Sequence, residues 1–386
     1  MTYDPYDPYD PAVIADPYAA YRELLAVEGP VYNDRLDLHV LSHYDHVRGA
    51  ARNHGVFSSA EGITFERVGL PVMITTDPPG HTRLRRLVSR DFTPRAIAAR
   101  QPLVQQLVDE TLDGLDHDRD CDLATDVFTP VPIMVIAHVM GVPAEDRVRF
   151  KEWSDAVVDG LNGLATSTRV IEGIRSLNAY FAALIAERRG HPGGDDLISK
   201  LLEPVDGEEL TADELFWFCL LLLVAGNETT TNLLGNLFTA LLNDPEQMAL
   251  LRAQPELAPL AVEECLRYEP PIQGLYRSTT GECEVGGVEI PKGARVMLLY
   301  AAANRDPRHW DEPDRFIVTR NPDDHLAFSS GIHYCLGAHL ARLEAATVLR
   351  ALVDRTSAIE QRGEIVRPAN PTIRGVEHLP VELKWT

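Results

Sequence analysis

The sequence predicts a mainly α-helical chain with small β-sheets, forming one domain over residues 1–386. Amphipathic patterns of helical period recur along most of its length. One of them, from Thr211 to about Leu242, is far longer than an average helix. Strand-like runs are short and scattered, and no repeat, linker or low-complexity stretch marks a domain boundary.

In chain order, residues 1–14 carry repeated Asp-Pro steps and read as an irregular arm. Helical patterns follow at about 17–27, 44–53, 80–90, 95–115, 128–140, 145–161 and 168–189. Val31 and His39-Val40-Leu41 are strand-like, and 55–76 reads as a long loop holding Gly62, Gly69 and Pro71. Thr211 starts the long helix as its N-cap, with Glu214 three residues on as the capping-box partner. Short strands are expected around 282–298, where Gly286-Gly287 supplies a hairpin turn. A helix follows Cys335, and Val376 to Leu383 alternates as a strand.

The formal net charge of −22 argues against non-specific binding to nucleic acid or to acidic membrane. Cys121, Cys219, Cys265, Cys283 and Cys335 are scattered and suggest no disulfide framework. The N-terminus shows no signal-peptide pattern, and the longest apolar run, Leu215 to Ala225, is too short to span a bilayer. A cytoplasmic enzyme without a membrane anchor is expected. Between His81 and Arg100, however, six arginines face one acid, Asp91, and such an island calls for an anionic partner.

The most informative segment is Phe328-Ser329-Ser330-Gly331-Ile332-His333-Tyr334-Cys335-Leu336-Gly337. It places a cysteine just ahead of a helix, where free N–H groups and the dipole stabilise a thiolate. Gly331 lets the loop turn, Gly337 removes a side chain where a flat ligand would pass, and Phe328 can shield the sulfur. On its own the cysteine could equally be a buried structural thiol, or a zinc ligand together with His333.

Ala225-Gly226-Asn227-Glu228-Thr229 stands inside the long helix. Its small residues admit another body, and Gly226 suggests a local widening of π type. The Thr229 hydroxyl can reach the carbonyl of Ala225, four residues earlier. A close-packing groove with an incidental polar pair is the alternative. Glu264-x-x-Arg267 puts acid and base on one helix face, and in isolation that is a surface ion pair. His81 and Arg85 share a face of their helix, whereas Arg83, Arg86 and Arg90 fall together on the opposite side.

Taken together, the cysteine loop, the Ala-Gly-Asn-Glu-Thr segment, Glu-x-x-Arg and His-Thr-Arg-Leu-Arg resemble the soluble, bacterial type of the cytochrome P450 family. The motifs run from Asp77 to the C-terminus, and the first 76 residues are compatible in length and pattern. The resemblance implies that Cys335 ligates the iron of haem b, with Ala225, Phe328, Gly331 and Gly337 against the cofactor. It implies that His81, Arg85, Arg277 and His333 bind the haem propionates. Glu228 and Thr229 would deliver protons as dioxygen is reduced, and Glu264, Arg267 and Arg315 would form a structural triad. Leu221, Val224, Ala225 and Leu275, with the 60–75 loop and the 272–276 segment, would line the substrate pocket.

The implied activity is a monooxygenase acting on a small-to-medium apolar or aromatic molecule such as a steroid, terpenoid, fatty acid or natural-product intermediate. Oxidative coupling on the same haem is the near alternative; a peroxide-driven enzyme and a non-catalytic haem ligand-binder are more distant ones. With no reductase domain fused, electrons would come from a ferredoxin or flavodoxin fed by an NAD(P)H-dependent reductase. The chain is expected to be a monomer, with Arg83, Arg86 and Arg90 docking the acidic donor.

Overall fold

The computed structural model describes residues 6–159 and 167–386. The helix Ala212–Asn243 runs through the middle of the core. Its start is the capping box expected: Thr211 Oγ1 accepts the Glu214 N–H at 3.1 Å, and the Glu214 carboxylate accepts the Thr211 N–H at 2.9 Å. Its C-terminal half is buried almost all round, so only a helix enclosed by others satisfies its apolar pattern. Pro130–Val139, Ala258–Tyr268 and Ala338–Arg355 pack against it. Leu233, Leu237, Phe238, Val262, Val348 and Leu352 are among the buried side chains where these helices meet.

The strands are β1 (Val31–Asn33), β2 (Leu38–Leu41), β3 (Phe57–Ser58), β4 (Cys121–Asp122), β5 (Leu275–Thr279), β6 (Cys283–Val285), β7 (Val288–Ile290), β8 (Arg295–Leu298), β9 (Thr356–Gln361) and β10 (Pro380–Trp385). Five form a sheet in the order β1-β2-β8-β5-β3, antiparallel except for the β2–β8 pair. β4, β10 and β9 form a second, antiparallel sheet. β6 and β7 make the expected hairpin, and Gly286 and Gly287 both take positive φ, as its two-residue turn requires.

Several local expectations are corrected. Part of the arm is helical: Pro11–Ala15 forms a turn, with the Asp10 carboxylate accepting the Ala12 N–H at 2.8 Å. The long helix shows no widening at Gly226; the π-helical turn lies at Ala124–Phe128 instead. Thr230 and Thr231, beyond the Ala225–Thr229 segment, point inward. Thr230 donates to the Gly226 carbonyl and Thr231 to that of Phe128, each at 3.0 Å. The 145–161 pattern is a helix over Arg147–Asp159, and its last two positions lie outside the described residues.

The Glu264–Arg267 pair is fully buried and not a surface pair. Two parallel N–H···O contacts of 2.7 and 2.8 Å join the side chains. Arg267 spends its remaining donors on the carbonyls of Asn304, Pro313 and Arg315. The third side chain is Arg320, whose Nε lies 3.1 Å from Glu264. Arg315 was expected there, but only its carbonyl faces inward; its guanidinium is exposed and pairs with Glu312. Arg320→Ala therefore leaves a buried carboxylate short of a partner, and should cost about 2–4 kcal/mol in denaturant unfolding. Arg315→Ala should leave the unfolding midpoint close to the parental one. Equal losses in the two variants would contradict this geometry.

Candidate active site

Cys335 ends a loop that is fixed from several sides. Its N–H donates to the Phe328 carbonyl at 2.9 Å, and Phe328 is buried beside it. The N–H groups of Gly337 and Ala338, at the start of the helix Ala338–Arg355, lie on the sulfur's side and favour its charged form. Burial pushes the thiol pKa up, while those N–H groups, Arg85 and Arg342 pull it back toward the thiolate. Gly331 has φ +73°, and a side chain there would strike the backbone of Ala51 and Arg52 at 2.8–2.9 Å. At Gly337 a Cβ would meet no protein atom within 4 Å, so internal packing does not demand that glycine.

Arg342 lies 4.6 Å above the Phe328 ring and reaches the Tyr334 hydroxyl, holding the loop from behind. It binds Glu263 through two contacts of 2.5 and 2.9 Å, and His325 adds a third at 3.1 Å. Burial would raise the Glu263 carboxyl, but these hydrogen bonds outweigh it and bring the pKa down to about 2.

Four basic residues converge from three segments. His81 and Arg85 come from the helix Gly80–Val88, Arg277 from β5 and His333 from the cysteine loop. His81 and His333 meet edge to face with centroids 4.6 Å apart. Burial, followed by Arg277, His81 and Arg85, lowers the His333 pKa to about 3, so the ring is neutral near pH 7. His81 is buried with both ring nitrogens unpartnered. Among the described residues, neither Arg85 nor Arg277 has a carboxylate partner. Such a cluster is costly unless an anion with several acceptor oxygens completes it. The two carboxylates of haem b fit that requirement, and the Cys335 sulfur fits its iron.

Thr229 Oγ1 donates to the Ala225 carbonyl at 2.6 Å. Glu228 is part-buried, and burial raises its pKa. Ala225 is exposed although Leu223 and Asn227 beside it are buried, so other parts of the protein leave this stretch of the helix uncovered. Leu221 and Val224 are part-buried. The 60–75 loop meets β5: the Tyr276 N–H donates to the Ile63 carbonyl at 3.0 Å, and Phe65 packs on Tyr276. Leu275, also part-buried, packs against the hydrophobic cluster that holds Leu41 and Tyr44.

The model of the family described as cytochrome P450 matches residues 30–384. The chain belongs to the cytochrome P450 family. It is 41% identical over 378 residues to the beta-dihydromenaquinone-9 omega-hydroxylase of Mycobacterium tuberculosis, covering 96% of this chain and 76% of that one. The cytochrome P450 monooxygenase PikC of Streptomyces venezuelae is 39% identical over 388 residues, covering 96% and 91%. Among solved structures, CYP109Q5 of Chondromyces apiculatus superposes with a TM-score of 0.91 at 36% identity, covering 99% of this chain and 98% of that one. CYP109E1 of Bacillus megaterium in complex with testosterone gives 0.88 at 34% identity, covering 95% and 99%. This P450 is accordingly a monooxygenase of small apolar molecules that uses haem b and draws electrons from redox partners. No helix among the described residues is long and apolar enough to cross a membrane.

One surface expectation fails. Arg83, Arg86 and Arg90 lie opposite His81 and Arg85, as expected, but they are not free. Arg83 pairs with Glu214 and Glu208, Arg86 with Asp206 and Glu208, and Arg90 with Asp91 and Glu203. The turn that carries Asp206 and Glu208 folds back on itself at Asp206 and Gly207, both with positive φ. This basic face is thus neutralised within the protein. Sequence reasoning also missed Arg320, Arg342 and Ser59, whose partners stand far away along the chain.

The depressed Glu263 pKa makes stability pH-dependent in a defined direction. A folded-state value of about 2, below the ordinary 4.5, adds stability that is full above pH 4.5 and is lost as pH falls toward 2. Glu263→Gln should unfold at lower denaturant near pH 6, by on the order of 2 kcal/mol, and the gap should narrow as acid is added. A gap independent of pH would mean that the pair contributes through packing alone.

Proposed function

We propose that the Cys335 sulfur would hold the iron of haem b in this P450, that His81, Arg85, Arg277 and His333 would hold its propionates, and that Glu228 and Thr229 would hold and supply the protons that dioxygen reduction consumes. The cluster of basic groups, in which neither Arg85 nor Arg277 has an ion-pair partner among the described residues, next to a cysteine at a helix start, carries this reading. Haem, when bound, supplies dioxygen activation supported by the electron-rich thiolate. The remaining roles belong to the chain. Glu228, its pKa raised by burial, releases its proton less readily than an exposed carboxyl does. Thr229 donates to Ala225 at rest and passes a proton after one side-chain rotation. Leu221, Val224, Ala225, Leu275 and Phe65 offer apolar walls that exclude water and orient a ligand through shape.

The substrate proposed is a bulky apolar molecule of moderate size, hydroxylated at carbon. The relatives' names, a dihydromenaquinone hydroxylase and a structure holding testosterone, support that class. The chain is proposed to act as a single-domain monomer reduced by a ferredoxin.

The reduced, carbon monoxide-bound protein should absorb near the wavelength in the family's name. Cys335→His should move that band to the position of imidazole-ligated haem, and an unmoved band would sink the ligand assignment. Thr229→Ala should bind haem and substrate normally, yet form product about 100-fold more slowly while electrons drain to hydrogen peroxide. Product per NAD(P)H at the parental level would leave Thr229 without a part in proton delivery.

With the Arg83 face neutralised, the donor is proposed to dock where the cysteine loop reaches the surface, at exposed Gly331 and Tyr334. The helix Tyr44–Arg52 packs on that loop. Its Arg48 and Arg52 are exposed and have no acidic partner among the described residues, as does Arg95 on the helix packed against Ala338–Arg355. Reversing Arg48 and Arg52 to Glu should slow reduction by an acidic ferredoxin, most at low salt, with the substrate-induced spectral shift unchanged. Equal rates at every salt concentration would place the donor elsewhere.

A further inference from the structure

Asp77 joins three segments that meet at the basic cluster. Its carbonyl accepts the His81 N–H at 3.0 Å, at the start of the helix that carries His81 and Arg85. Its carboxylate accepts the Ser58 hydroxyl and, at 3.3 Å, the Ser59 N–H, so it also pins the end of β3. Ser59 in turn places its hydroxyl 3.0 Å from Nε2 of His333 in the cysteine loop. Ser58, Ser59 and His81 are all buried, so water offers little competition for these bonds.

The Ser59 hydroxyl has one hydrogen and two candidate acceptors. The Asp77 oxygen stands at 3.5 Å, the outer limit of a hydrogen bond, and His333 Nε2 is clearly nearer. Donation to Nε2 leaves that nitrogen bare and puts the ring proton on Nδ1. A carboxylate facing the ring can bind only to a nitrogen that carries hydrogen. The opposite tautomer would present it with a lone pair.

We propose that Asp77 and Ser59 are positioning residues for the cofactor carboxylates. Ser59 selects the Nδ1–H tautomer of His333, and Asp77 holds Ser59 in register while fixing the helix that supplies His81 and Arg85. This rests on the haem reading above. The competing role for the same bonds is closure of the 59–76 loop and nothing more.

The test uses the haem-loaded protein, with ring-¹⁵N histidine spectra of the reduced carbon monoxide complex and the rate of haem transfer to apomyoglobin. The parent should show His333 protonated at Nδ1 and bare at Nε2. Ser59→Ala should mix the tautomers and speed haem loss about tenfold, the worth of one hydrogen bond. Ser59→Thr, which keeps the hydroxyl, should restore both. Asp77→Asn keeps an acceptor for the Ser59 N–H but not both carboxylate oxygens, and should fall between. A parent protonated at Nε2 overturns the proposal even if Ser59→Ala does not fold. So do variants that lose global stability while tautomer and haem-loss rate stay parental. A parent that takes up no haem fails the underlying haem reading, a result distinct from these.

Discussion

The Cys335 sulfur, proposed to carry negative charge inside a protein of net charge −22, sets the constraint that the surrounding architecture meets. Burial opposes the thiolate, so the fold has to supply compensation locally. It does so with the N–H groups of Gly337 and Ala338 and with the guanidinium groups of Arg85 and Arg342. Arg342 is in turn anchored by Glu263, on the neighbouring helix Ala258–Tyr268. One residue further along that helix, Glu264 and Arg267 tie the chain around Asn304 and Pro313 to the same body. The loop is therefore held in advance, and little rearrangement is needed when a ligand arrives.

Most acids near this helix are paired on its outer side. Glu203, Asp206, Glu208 and Glu214 meet the outward arginines of the helix Gly80–Val88 and its extension, while the inward Arg85 has no ion-pair partner among the described residues. The two faces of one short helix thus serve opposite purposes. On the outer face charge is cancelled, and on the inner face it is held for an anionic partner.

Features governed by local chemistry were legible in the sequence. The Thr211–Glu214 cap, the Gly286-Gly287 turn and the Thr229–Ala225 bond each depend on residues within four positions of one another. The cysteine loop was legible because its glycines, histidine and cysteine lie in one run, and Gly331 proves sterically obligatory. What escaped was decided by distant partners. Arg315 and Arg320 are five residues apart and chemically identical; only the path of the chain past Glu264 chooses between them. Arg83, Arg86 and Arg90 read as a free patch because, apart from Asp91, the acids that neutralise them lie more than a hundred residues away. Gly226 suggested a distorted helix, yet a glycine permits such a distortion without requiring it.

Glu214 does two jobs with one carboxylate. One oxygen closes the N-cap of the long helix and the other grips Arg83 at 2.6 Å. The helix bearing Glu228 and Thr229 and the helix bearing His81 and Arg85 are thereby registered against each other at a point remote from both sets of side chains. Substitutions at 83, 211 and 214 are consequently epistatic: a residue acceptable as a cap fails as a tether, and the reverse. Drift at this surface corner is confined to concerted changes, although none of its side chains touches the chemistry.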